Sequence, residues 1–337
     1  MSVPTTPLGD GLTVSRLGFG AMALTGVYGE STHAENLAAL NHALDVGVTF
    51  IDTADIYGGG ESERVVGEVA RSRRDEMTIA TKFGITGSIA EKTMFARNDP
   101  AYVREAAEAS LARLGIETID VYYLHRREVA VPIEEVVGAM ADLVAAGKVR
   151  HLGLSEVTAD EIEAAHRVHP IAAVQSEWSV WSRDVERSVV PTSARLGIGF
   201  VPYSPLGRGF LTGALSDPAA FAGDWRAGLS RFSGDAFTSN TAIVTVLATI
   251  AAEHGATPAQ IALAWLYATG ERFGLPVVPI PGTRRVSRID ENAGATAIAL
   301  TEDEIGVLDQ LSRRVVGPRS DVDDPNWTSD TRERHDG

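Results

Sequence analysis

The chain alternates short runs of β-branched and aromatic residues with longer stretches whose apolar positions recur at helical spacing. The runs RLGFG (16–20), VTFIDTA (48–54), MTIATK (77–82), IDVYYLH (119–125), VRHLGLS (149–155), AAVQSEW (172–178), IGFVPYS (198–204) and PVVPIPG (276–282) read as strands. Nearly all are apolar without alternation, the pattern of parallel strands covered on both faces. Helix starts are legible between them. Thr32 with Glu35, Thr158 with Glu161, Thr257 with Gln260 and Thr301 with Glu304 each fit a capping box, which satisfies the free amides of a first turn. Asp99-Pro100 gives a cap followed by proline at the first helical position, and Pro132 and Pro258 suit that position too. Leu111 and Leu114, then Val136, Met140 and Leu143, repeat at the spacing of a face turned toward a sheet.

Eight strands in strict βα order predict an α/β fold of the closed (β/α)8 TIM-barrel type. A doubly wound nucleotide-binding domain would need G-x-G-x-x-G after its first strand, and GFGAMA lacks the third glycine. TTPLGDGLTV predicts an N-terminal β-hairpin turning at Gly9-Asp10-Gly11, placed to plug the lower end of the barrel. The seventh and eighth strands begin 78 residues apart, at 198 and 276. The excess holds an irregular segment, 205–239, with Trp225, Phe232 and Phe237, and long loops of this kind are usually binding lids. Residues 1–318, with extra C-terminal helices, are expected to form one domain, and the polar stretch 319–337 a mobile tail.

Composition narrows the function. A net charge of −15 argues against nonspecific binding to nucleic acid or an anionic membrane, so any anion site must be a local cationic pocket. The absence of cysteine excludes disulfides and thiolate chemistry. No basic region followed by an apolar core opens the chain, and TAIVTVLATIAA, ending at Glu253, reads as too short to span a bilayer. The expectation is a soluble cytoplasmic protein with neither nucleic-acid nor membrane partners. Its oligomeric state is left open.

Chemistry in such barrels lies at the C-terminal ends of the strands. Here those ends carry Asp52 with Tyr57 just beyond, then Lys82, His125, Ser155 with Glu156, Gln175, and Tyr203-Ser204. Singly, each is ordinary: Lys82 as a solvated strand end, His125 as a packing histidine, Asp52 with Lys82 as a structural ion pair. Together, a carboxylate, a phenol, an ammonium and an imidazole on adjacent strands make a proton-transfer device. A free tyrosine has a pKa of about 10. Lys82 beside Tyr57 would stabilise the phenolate, and Asp52 would partner the buried lysine. His166 and His169 lack a third ligand at metal-site spacing, so no metal is expected.

GFGAM, DTADIYGGGESE, ATKFG, YYLHR, GLSE, YSPLGRGFLTG and PIPGTRRVSRIDEN, in this order, resemble the aldo-keto reductases. The branch with GLSE and PIPGT, which includes plant reductases of alkaloid aldehydes, is especially similar, and potassium-channel beta subunits share much of the pattern. The resemblance implies NADPH-dependent reduction of a carbonyl, with Tyr57 as general acid, Lys82 and Asp52 tuning it, and His125 holding the carbonyl oxygen. It implies a nicotinamide stacked on Tyr203 and bonded by Ser155 and Gln175, with Gly20, Ala21, Met22 and Asp52 also at the cofactor. The pyrophosphate would lie along Ser204, Leu206, Gly207 and Arg208. Gly282 would also lie at the cofactor, Thr283, Arg284 and Arg288 would grip a 2′-phosphate, and Glu291 and Asn292 would meet the adenine. Arg284 and Arg288, four apart at a helix start, are expected to share one face. Glu156 stands where many relatives carry asparagine, which puts its contact to the carboxamide in doubt. Gly282 stands in place of a lysine that elsewhere serves the 2′-phosphate. Loops near Met22, Val27, Tyr28, Met94, Phe95 and Arg126, with the 205–239 segment, are expected to select an aromatic or bulky apolar carbonyl. The alternatives are a slow NADPH-binding redox sensor, or an aldolase using Lys82 as a Schiff base or a metal hydrolase using His125 as a ligand.

Overall fold

The computed structural model describes residues 2–88, 91, 93–215, 217 and 225–335; part of the segment expected to form a lid thus lies outside the described residues. Seven strands, Gly18–Gly20, Phe50–Asp52, Thr78–Phe83, Ile119–Leu124, Val149–Ser155, Ile171–Glu177 and Gly199–Tyr203, pair in parallel in sequence order. The eighth run, 276–282, closes the barrel without becoming a regular strand. On one side Val278 and Ile280 donate to Phe200 O and Pro202 O at 2.9 and 3.2 Å. On the other, Pro279 O and Pro281 O accept from Gly18 and Gly20 at 2.9 and 3.4 Å. The amides that would return those bonds belong to Pro279 and Pro281, and proline has no N–H. The result is a (β/α)8 barrel with a half-complete seam.

Its lower end is plugged by the hairpin Thr5–Pro7 with Thr13–Ser15. Asp10 and Gly11 both take the left-handed conformation (φ 52° and 74°) that a tight hairpin turn needs. Leu8, Leu12 and Val14 then pack inside the barrel against Phe50, Ala80, Val121 and Val201. The fit is close: a Cβ at Gly199 would lie 2.4 Å from the Leu8 side chain.

All four capping boxes form, and Asp99 accepts from Tyr102 N at 3.0 Å ahead of Pro100. Pro132 takes the N-cap itself rather than the first helical position. Leu111, Leu114, Val136, Met140 and Leu143 are buried, as their spacing predicts. The apolar stretch ending at Glu253 belongs to a 20-residue helix, Gly234–Glu253, which by length and composition is long and apolar enough to cross a membrane. The expectation that it is too short is therefore corrected. Here Phe237, Asn240, Ile243, Leu247 and Ile250 bury one of its faces, and the helix packs on Pro258–Phe273.

The tail expected to be mobile is packed. Arg319, Thr328, Ser329, Thr331 and Arg332 are buried, and Ser329–His335 is helical. The physical reason is a carboxylate waiting at the barrel mouth. Glu156, fully buried, accepts from both terminal nitrogens of Arg319 at 3.0 and 2.9 Å and from Ser329 N at 3.1 Å. Arg332 donates to Glu156 O and, at 2.9 Å, to Glu161. Polarity in this segment is the complement of the buried Glu156 and the half-buried Glu161.

Candidate active site

Asp52 ends the second strand, and Lys82 stands opposite Tyr123 in the third and fourth. Register then fixes how the side chains meet. Lys82 Nζ donates to Asp52 Oδ1, to Thr53 O at 2.8 Å and to Tyr57 Oη at 3.4 Å. Gln175 Nε2 takes the other Asp52 oxygen at 2.8 Å. Tyr57 is aimed back at this pair by a turn in which Gly58, Gly59 and Gly60 all have positive φ (60°, 62° and 88°), a run that only glycine adopts readily. His125, just past the fourth strand, meets the Tyr57 ring edge-on with centroids 5.7 Å apart. The strand ends thus bring Asp52, Tyr57, Lys82 and His125 together.

Burial lowers the basicity of Lys82, but Asp52 and Tyr57 outweigh it, and the ammonium's pKa lies above the usual lysine value. Burial pushes the Asp52 carboxyl up, with Lys82 and Gln175 opposing it. A raised acid and a raised base point to different proton positions. The direct contact of Nζ with Oδ1 makes the ion pair the form that stands. For Tyr57, burial exceeds the pull of Lys82 and raises the hydroxyl above its ordinary value, so it is a neutral phenol at pH 7. The expected ease of ionisation is absent from this state. His125 lies well below the ordinary histidine value through burial, then Arg126 and Lys82, so the imidazole is neutral; its Nδ1 is buried with no partner among the described residues.

Around this centre, Tyr203 ends the seventh strand and donates its hydroxyl to Glu156 at 2.8 Å. Glu156 has φ 52°, and its carboxylate is turned to Arg319, Ser329 and Tyr203. Burial favours its protonation, but Arg319 and then Arg126 more than offset this and hold it below the usual carboxylate range. Ser155 Oγ accepts from Arg126 at 3.3 Å. Past the seventh strand, Ser204, Gly207, Arg208 and Gly209 have φ of 47°, 55°, 56° and 94°, a strained loop whose backbone is open to close approach. Arg208 bonds Glu177 at 3.2 Å. Leu206 is half-buried there, and Ala21 and Met22 stand in the turn Ala21–Thr25 after the first strand. A Cβ on Gly282 would come within 2.6 Å of Gly20 O, so this packing of the first and eighth staves disfavours any side chain at that position.

Arg284 and Arg288 do not share a helical face. The helix is Val286–Gly294 with Arg285 at its cap, so Arg284 lies outside it. Its guanidinium donates to the carbonyls of Gly29 and Glu30, and to Tyr28 O at 3.2 Å. Arg288 pairs with Glu291, whose other oxygen, Oε1, is buried without a partner among the described residues. Asn292 is buried, and Thr283 Oγ1 accepts from Arg285 N at 3.1 Å. Sequence reasoning missed Glu177, Arg319 and Trp327. Trp327 joins an apolar cluster with Ile56, Tyr57, Ile85 and Met94. A lone tryptophan in an otherwise polar tail was the available signal.

Residues 16–313 match the aldo/keto reductase family. A probable aldo-keto reductase 1 of Glycine max is 44% identical over 298 residues, covering 88% of this chain and 85% of that protein. An NADP(+) aldo-keto reductase of Schizosaccharomyces pombe, yakc, is 40% identical over 95% of both. A glycerol dehydrogenase from Gluconobacter oxydans superposes with a TM-score of 0.83 at 27% identity, covering 96% of this chain and 99% of that one. An aldo/keto reductase from Klebsiella pneumoniae in complex with NADP and acetate gives a TM-score of 0.70 at 27% identity, over 94% and 99%. The chain belongs to the aldo/keto reductase family.

Proposed function

We propose that the protein reduces an aldehyde or ketone to the alcohol with NADPH, Tyr57 donating the proton. The observation that carries this reading is a neutral phenol 3.4 Å from an ammonium that is itself paired with Asp52. When bound, NADPH supplies a hydride to the carbonyl carbon. Tyr57 gives its proton to the carbonyl oxygen, and Lys82 steadies the phenolate left behind. The neutral His125 ring holds the same oxygen by hydrogen bond. Because that imidazole is held neutral, no rate inflection from its titration is expected between pH 6 and 8. Family membership and the NADP in the names of two relatives support the cofactor.

The chain's own residues fit that cofactor. Tyr203 offers a ring at the mouth, Ser155 and Gln175 offer amide partners, and the loop of Ser204, Leu206, Gly207 and Arg208 offers close backbone approach. Gly20, Ala21, Met22 and Gly282 stand together at the ends of the first and eighth staves, where a side chain on either glycine would meet backbone. The free Oε1 of Glu291, beside Asn292, is an acceptor suited to an adenine amine. A Schiff-base aldolase would need a neutral lysine, and the Asp52 contact keeps Lys82 charged. Met22, Tyr28, Met94 and Trp327, all partly exposed near the mouth, support a carbonyl substrate with an apolar body. The deciding experiment is a panel of aldehydes and ketones with NADPH consumption as readout. Turnover of at least one is expected. Binding of NADPH without turnover of any would sink the reductase and leave the sensor.

Coenzyme choice gives a sharper test. Arg284 is committed to three carbonyls, so we assign the 2′-phosphate discrimination to Arg288, which holds only Glu291 among the described residues. A charge-assisted hydrogen bond is worth roughly 1.5–3 kcal/mol, so Arg288→Ala should weaken NADPH binding about ten- to a hundredfold. NADH affinity should barely change. Arg284→Ala should weaken both coenzymes, because it also frees the 28–30 loop. Fluorescence titration of both coenzymes measures this, and equal losses for Arg288→Ala would remove the residue from the phosphate site.

A further inference from the structure

Among the described residues, the charge that stands apart is Arg126. Of the buried arginines, Arg127, Arg231, Arg319 and Arg332 each meet a carboxylate, at 2.9, 3.8, 2.9 and 2.9 Å. Arg126, 9% exposed, forms no ion pair within 4.0 Å among the described residues. Its Nη1 donates to His125 O at 2.7 Å and to Ser155 Oγ at 3.3 Å, while Nε is buried without a partner. Glu156, which feels its charge, is already held by Arg319. The rings of Tyr203 and Trp327 flank the guanidinium with centroids 5.8 and 5.5 Å away. Cation–π contacts offset part of the desolvation, but a buried cation with no anion stays costly. The other buried arginines show how this chain ordinarily meets that cost.

The position says where an anion would come from. Arg126 follows His125 directly, and its field reaches Tyr57. Trp327, on its flank, packs in the same apolar cluster as Tyr57 and Met94. The guanidinium therefore stands at the mouth where the carbonyl would be reduced, between Ser155, Tyr203 and Trp327. Resting on the reductase reading above, we propose that Arg126 is a specificity residue that receives a carboxylate of the substrate, so that the preferred substrates are apolar or aromatic aldehydes or ketones bearing an acid group. The ring walls hold the apolar body, and the unpaired guanidinium selects the anion. Arginine suits this because its planar fork matches a carboxylate.

The test pairs 2-, 3- and 4-carboxybenzaldehyde with their methyl esters, which keep the ring and the aldehyde and remove the charge. For at least one isomer, kcat/KM should favour the acid about tenfold or more, mostly through KM, the scale of one charge-assisted hydrogen bond. Arg126→Met keeps the apolar stem and deletes the charge; the acid-to-ester ratio should then fall about tenfold or more. Arg126→Lys should keep part of the preference. A purely structural arginine would lower acid and ester together and leave the ratio alone, which would overturn the proposal. So would a wild-type protein that reduces every ester as well as its acid, a result needing no variant to fold. If no aldehyde of either kind is reduced, the reductase reading itself has failed. Reduction of neutral aldehydes without acid preference fails only the role of Arg126.

Discussion

Tyr57→Phe is expected to bind NADPH as the wild type does and to lose carbonyl reduction by at least ~10²-fold, the usual scale for removing a general acid. The substitution deletes one oxygen and leaves the ring, so packing against His125 and the Ile56–Met94 cluster should survive. Stability should change little, because the hydroxyl's contact is the 3.4 Å hydrogen bond from Lys82, and that ammonium keeps Asp52 and Thr53 O as acceptors. The measurement is kcat on the best aldehyde of the panel, with coenzyme Kd and thermal unfolding as controls. Near-normal turnover in Tyr57→Phe would move the acid role elsewhere. His125 is a poor substitute, since burial with Arg126 and Lys82 nearby disfavours the imidazolium and leaves a neutral ring whose one N–H is a weak acid. An alternative donor would then have to be water reaching Lys82, which is itself fully buried.

The meeting of these polar side chains at the barrel mouth was legible because strand ends are addressable from sequence. Unbroken apolar runs locate the strands, the barrel rule says which end matters, and the polar residues that finish each run name themselves. Asp52, Lys82, His125, Ser155, Gln175 and Tyr203 all lie at or within two residues of a C-terminal strand end. The eighth strand was legible as a run yet not as a regular ladder, because Pro279 and Pro281 satisfy the pattern without supplying donors. Loops were read less well. Spacing put Arg284 and Arg288 on one helix, whereas the helix begins after Arg284 and the 28–30 loop supplies Arg284 with carbonyls from more than 250 residues away. No local pattern encodes such a partner. The tail failed for a related reason: its charges look solvated until the buried Glu156, 163 residues earlier, is seen to take up Arg319. Glu156 also explains itself only in three dimensions. Its carboxylate anchors the tail through Arg319 and Ser329 and accepts the Tyr203 hydroxyl, partners that no local pattern announces.

Lys82→Met should be the most damaging single change in both stability and rate. It removes the only cation paired with Asp52 among the described residues, leaving a carboxylate that is 2% exposed with Gln175 as its remaining side-chain partner. Breaking a buried pair from one side costs about 3–5 kcal/mol, because the surviving charge is uncompensated. Burial already pushes the Asp52 carboxyl above its ordinary value, and without Lys82 opposing, it rises further. The sign of the pH dependence follows. A carboxyl whose folded-state pKa exceeds its unfolded value favours the fold when protonated, so the variant should be most stable in acid. That stability is lost as pH rises through the raised pKa, and the deficit against wild type should widen toward pH 8. Adding Asp52→Asn removes the stranded charge, so the double variant should recover most of the stability and lose the pH dependence. Activity should behave differently. With no ammonium to steady the Tyr57 phenolate, both variants should stay at least ~10²-fold below wild type in kcat. Urea unfolding at pH 5 and pH 8, alongside kcat, separates the two effects. A double variant that regains its rate together with its stability would reduce Lys82 and Asp52 to a structural ion pair and leave Tyr57 to act without them.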